Sequence, residues 1–160
     1  MVAVIFIAVH YISFFSFGDT SKNKDTLFSA REEKNTNQQG VLRRVKVRLG
    51  NVTINAEVAE EESDMELGLG KRDSISDDGG MLFAFGVPDF WGIWMKDMKF
   101  PIDIIWLDEN LKVVHIEKDV KPETYPEVFS PSEKAMYVLE TNSGFSEKNK
   151  ITVGEQTFVE

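Results

Sequence analysis

The 160 residues leave room for one ordinary domain, since domains cluster near about 100–150 residues, and the chain has a formal charge of -9 with no cysteine. Residues 1–40 are balanced, with Lys22, Lys24, Arg31 and Lys34 against Asp19, Asp25, Glu32 and Glu33, so the whole acidic excess sits in residues 41–160. A domain that acidic repels a phosphate backbone, which excludes nucleic acid as a partner, and the lack of thiols excludes disulfides, zinc–thiolate sites and cysteine nucleophiles.

The chain opens on an apolar run. From Val2 to Phe17 no Asp, Glu, Lys or Arg occurs, and such a run in a helix rises about 26 Å, just short of a hydrocarbon core of about 30 Å. No amphipathic stripe is visible, so residues 1–18 read as a membrane anchor or signal segment, with residues 2–17 meeting the bilayer. No small-x-small cleavage site follows, which favours an uncleaved anchor. The basic residues that follow the span would by themselves keep the domain inside; the reading adopted is an extracytoplasmic domain. Residues 19–40 are dominated by Asp, Lys, Asn, Thr, Ser and Gln. They cannot offset the entropy of ordering and read as a flexible linker.

At Leu42 the pattern switches to period two. Val45, Val47 and Leu49 alternate with Arg44, Lys46 and Arg48, then Gly50-Asn51 turns the chain into Val52, Ile54, Ala56 and Val58, which predicts a β-hairpin whose outer face is basic. Ser63-Asp64-Met65-Glu66 matches a capping box and predicts a helix from Asp64 to Leu69. Strands are predicted at Met81–Phe85, Trp91–Lys96, Ile102–Leu107, Leu111–Lys118, Ala135–Glu140 and Gln156–Val159. Asp108-Glu109-Asn110 forms a turn, Pro122, Pro126 and Pro131 mark an irregular connection, and one helical turn falls within Gly144–Lys150. Many short strands with frequent turns predict a mainly β domain over residues 41–160, a small sandwich or barrel with one or two short helices.

Seven of the 18 aromatic residues fall between Met81 and Trp106, a density that suits either a disulfide-free core or an apolar pocket with a few polar groups. If Trp91–Lys96 and Asp103–Leu107 pair as antiparallel strands, Lys96 lies across from Asp103. Alternation puts that carboxylate on the face of Ile105 and Leu107, where it needs a partner. Met81, Phe83, Trp94, Lys96 and Asp103 are therefore the candidate ligand-binding residues. His115 stands mid-strand with no second histidine in residues 41–160, as suits a structural imidazole. Asp73, Asp77, Asp78 and Gly79 fail the spacing of a calcium loop. No phosphate-binding loop, dinucleotide fingerprint or zinc-protease motif occurs, so no cofactor, metal or catalytic residue is assigned.

The ordered motifs Met65-Glu66-Leu67-Gly68-Leu69-Gly70-Lys71-Arg72, Gly80-Met81-Leu82-Phe83-Ala84-Phe85, Trp94-Met95-Lys96-Asp97-Met98, Pro101-Ile102-Asp103, Val138-Leu139-Glu140 with Gly144, and Ile151-Thr152-Val153-Gly154 resemble the family called domain of unknown function 192, over about Val41 to Glu160. Members usually read Gly-Leu-Met before the Arg and often Asn-Thr where this chain has Asp97-Met98. The resemblance implies a compact β-sandwich or barrel, often behind an N-terminal signal or anchor, and brings no established activity. The expectation is a membrane-tethered extracytoplasmic β-domain binding a small molecule or an envelope protein. The alternatives are an enzyme using Lys96 and Asp103 in acid–base chemistry, and a purely structural interaction module.

Overall fold

A computed structural model describes residues 41–160; the expected anchor (1–18) and linker (19–40) lie outside the described residues. The domain is mainly β, with nine strands and two short helices. Seven strands form one curled sheet, a half-barrel, in the order β6-β5-β8-β3-β2-β1-β9. They are β1 (Arg44–Leu49), β2 (Val52–Ala59), β3 (Gly79–Asp89), β5 (Ile102–Leu107), β6 (Val113–Val120), β8 (Ala135–Asn142) and β9 (Thr157–Val159). A separate ribbon pairs β4 (Ile93–Trp94) with β7 (Val128–Phe129). The two ends of the sheet approach each other at the bridge between Lys112 and Gln156.

Neighbouring strands run antiparallel except β2 and β3, which are parallel. A parallel pair needs a long crossover, and the segment between Ala59 and Gly79 supplies it, carrying helix α1 (Glu62–Leu67). The predicted capping box is not used: α1 begins after Glu61, which makes no side-chain cap, and it stops at Gly68 with φ 50°. Met65 is buried, and that apolar anchor, more than the cap, holds so short a helix.

The period-two readings of β1 and β2 hold, since burial alternates along both strands. Strand β5 matches its predicted limits and is buried at all six positions. Its two faces serve two cores. Ile102, Ile104 and Trp106 join Met81, Phe83, Ile93, Met95 and Val138 on one side, while Ile105 and Leu107 join Val47, Leu49, Ile54, Leu139 and Phe145 on the other. Each fully buried aliphatic side chain contributes about 1.5–3 kcal/mol, which explains how the domain holds together without a disulfide.

The predicted pairing of Trp91–Lys96 with Asp103–Leu107 is corrected. Strand β5 lies between β6 and β8, and only Ile93–Trp94 is extended, against β7. A strand as apolar as β5 is best sealed in the middle of the sheet, and Asp97, with φ 59°, breaks the chain between the two segments. The Pro-marked connection holds a 3-10 turn (Pro122–Thr124) and β7, neither predicted. Helix α2 (Phe145–Lys148) falls within the expected helical turn.

Candidate functional site

Asp103 is fully buried, but its carboxylate is engaged by backbone. Oδ1 accepts the amides of Asp119 (2.9 Å) and Gly144 (3.1 Å), and Oδ2 accepts that of Ser146 (2.8 Å). The register shift between Ile102 and Ile104 on β5 and the positive φ of Asp119, 51°, aim the first of these amides. Asp103 thus ties β6 and the start of α2 to β5, and Lys96 is not across from it.

The other four predicted residues gather on the opposite face of the sheet from Asp103. Met81 and Phe83 are fully buried in one core, and Trp94 packs against it. Lys96 Nζ stands 5.8 Å from the centre of the Trp94 ring, a cation–π contact, and Tyr125 tilts against the same ring at 5.4 Å. Trp94 Nε1 is buried with no hydrogen-bond partner among the described residues. The indole of Trp106, in contrast, donates to the Trp91 carbonyl at 2.8 Å. His115 is held by Glu117 at 3.0 Å and by Ser132 at 3.3 Å, in keeping with a structural imidazole.

A different group of polar residues lines a wide opening. Along β2, Asn55 and Glu57 project to the side away from Ile54, Ala56 and Val58, and the segment Arg72–Asp78 passes over them. Between lies a cleft of about 880 Å³ whose walls include Arg44, Lys46, Asn55, Glu57, Arg72 and Asp78. Arg72 grips Glu57 with both guanidinium nitrogens, at 3.1 and 2.7 Å, and Arg44 reaches the same carboxylate at 3.2 Å. The hydrogen bonds and charge of Arg72, joined by Arg44, hold Glu57 below the usual carboxylate range despite its partial burial. Asp78 accepts from Asn55 Nδ2 at 2.7 Å, and hydrogen bonds from Ser76 and Asn55 lower its pKa too.

On the same face of the sheet as Glu57 lies Glu140. Register places it between Met81 on β3 and Ile104 on β5, and Glu57 stands beyond Met81, two strand spacings or about 10 Å away. Glu140 is completely buried, and neither carboxyl oxygen has a hydrogen-bond partner among the described residues. Burial pushes its pKa up to about 8, against the opposing pull of Arg72, so at neutral pH it carries a proton. One carboxylate ionised and one neutral thus share a sheet face, and the charge of Arg72 acts on both. Sequence reasoning missed Glu140, although the alternation that singled out Asp103 also sets Glu140 on an apolar face with Val138. The cleft residues gave no such signal, because they come from strands and a loop far apart in the chain. No three His, Asp or Glu among the described residues are placed to hold a metal ion, and no helix among them is long and apolar enough to cross a membrane.

Residues 44–158 match the model of the DUF192 family, described as an uncharacterised ACR. The fold is similar to that of a candidate transcription regulator from Sinorhizobium meliloti 1021, with 26% identity and a TM-score of 0.67, the match covering 72% of this chain and 92% of that one. A protein of unknown function from Novosphingobium aromaticivorans DSM 12444 is similar at 25% identity and a TM-score of 0.66, over 72% of this chain and 83% of the other. No curated protein matches the chain.

Proposed function

The chain belongs to the uncharacterised DUF192 family, and we propose that its domain binds a small, electrically neutral polar ligand in the cleft over Glu57 and Arg72 while tethered outside the cytoplasm by residues 1–18. The cleft carries the reading. It sets Arg44, Lys46 and Arg72 against Glu57, Asp78 and Glu160, three cations against three anions, so it offers fixed donors and acceptors without a net field. Such a lining suits hydroxyl or amide groups better than a phosphate or a polyamine. The acidic excess of residues 41–160 argues against extending to this chain the transcription role in the name of its Sinorhizobium neighbour.

The test is native mass spectrometry of the full chain, purified from its own host in detergent. A small polar molecule retained by the wild type and lost from Arg72→Ala supports the cleft. Retention that is unchanged in Arg72→Ala overturns it. Protease treatment of intact cells tests the tether: removal of the domain supports an outward face, and full protection overturns it.

A second reading rests on the two carboxyls. A neutral acid beside an ionised carboxylate is the pairing that acid–base catalysts use, and Glu140 and Glu57 are pushed apart in that way. It ranks second because Glu140 is sealed from solvent. Turnover lost in Glu140→Gln with binding retained would favour it.

A further inference from the structure

Four large apolar side chains stand in solvent close to one another. Val87, Phe90, Tyr125 and Val128 are 59%, 52%, 44% and 41% exposed, and a series of contacts links them. The Trp91 indole donates to the Val87 carbonyl at 3.0 Å, and its ring stacks on Phe85 at 4.2 Å. Trp94 pairs with Val128 across the β4–β7 ribbon and meets the Tyr125 ring at 5.4 Å. A Cβ on Gly92 would lie 2.6 Å from Val128 Cγ1, so the chain leaving β3 packs directly on β7. The result is one exposed surface rich in aromatic side chains, and a patch of that kind marks an interaction site.

The same end of the domain receives the chain from its N-terminal side. The Arg43 carbonyl accepts the Val58 amide at 2.8 Å, which sets Leu42 and Val41 past the start of β1, alongside Ala59 and Glu60. Strands β2 and β3 run parallel with Ala59 beside Phe83, and β3 continues from there to Asp89. Leu42 packs against the same core as Phe85 and Trp91. The described chain therefore begins at the end of the sheet toward which β3 runs, the end that carries Val87 and Phe90. Between Phe17, the last residue of the apolar run, and Val41 lie residues 18–40, which at full extension span at most about 80 Å.

We propose that this surface docks on the headgroup interface of the lipid bilayer that holds the anchor, a proposal that rests on the tether inferred above. Tryptophan and tyrosine, apolar rings with a polar handle, are the side chains that settle at that depth. The linker keeps the bilayer within reach and the patch faces the end from which the linker leaves, so the second contact is effectively intramolecular and a few side chains suffice for it. Asp89 and Glu127, both exposed, flank the patch. Anionic headgroups therefore add nothing, and zwitterionic lipid is the surface it suits.

Tryptophan fluorescence supplies the test, because Trp91, Trp94 and Trp106 all lie in the domain and Trp106 is sealed. The full chain is reconstituted into phosphatidylcholine vesicles, with and without bromine on the upper acyl chains, after flotation has shown that it is membrane-bound. Bromine should quench the wild type. Phe90→Asp and Val87→Asp, each at an exposed position and each checked by thermal unfolding, should lose that quenching while still floating with the vesicles. Phe158→Ser, an exposed aromatic on β9 beside Arg48, should keep it. Flotation without quenching, or quenching that persists in both folded patch variants or disappears in Phe158→Ser, would overturn the docking and leave the tether standing. Failure to float would overturn the tether, and the docking with it.

Discussion

The Asp103 carboxylate accepts the buried amide of Ser146 at 2.8 Å, joining residues 43 apart in the chain. This bond and the amides of Asp119 and Gly144 make Asp103 the pin between the centre of the sheet and the turn into α2. Replacing it by asparagine leaves one acceptor oxygen and sets an amide group against one of the donors. Asp103→Asn should lower stability by roughly 2–4 kcal/mol, measured by denaturant unfolding. Ligand retention in the cleft should survive wherever the variant is folded.

Glu140 makes stability fall as pH rises. Its folded pKa of about 8 lies above the ordinary value of 4.5, so between those values the unfolded chain gives up a proton that the folded one keeps. Stability is greatest below about pH 4.5, declines through that window and levels off above the folded value, as far as this residue is concerned. Glu140→Gln should flatten the slope and exceed the wild type at pH 8 by on the order of 2 kcal/mol. Equal slopes in urea titrations of the two proteins between pH 5 and 8 would show that Glu140 is not held neutral.

Arg72 grips Glu57 and its charge also acts on Glu140, so its removal should move both carboxyls in a known direction. Arg72→Met takes the bidentate partner from Glu57 and should cost about 1–2 kcal/mol at pH 7, solvent at the cleft keeping the loss below that of a sealed pair. Because the pair holds the Glu57 pKa down, its contribution is present above the unfolded value and fades as pH falls through the folded one. The gap between wild type and variant should close in acid. The same substitution should raise the Glu140 pKa further, which carboxyl NMR titration can read.

Gly80 marks where the sheet is tightest. A Cβ there would lie 2.7 Å from the Glu140 carbonyl oxygen and 2.9 Å from Ile54 Cγ2. The first contact is backbone in a paired strand and cannot retreat without breaking its ladder. Gly80→Ala should therefore destabilise by about 2 kcal/mol or more, whereas Gly144→Ala, with open space around its Cβ, should cost only the strain of a positive φ.

The β character of the domain, most of its strands and the family were legible in the residues, because alternation and turn chemistry are local properties. Strand β5 was found at its true limits for that reason, as was the Asp108–Asn110 turn, where Asp108 accepts the amides of Asn110 and Lys112. Only the tertiary structure decided which strands are neighbours. Local pattern sets which face a side chain takes but not the partner beyond it, so Lys96 and Asp103 were expected together and stand apart, while Arg72 and Glu57 meet from two distant segments. Burial is likewise a collective property of the folded sheet: the glutamate in Val138-Leu139-Glu140 became a sealed, neutral acid only once β3 and β5 closed on either side of it.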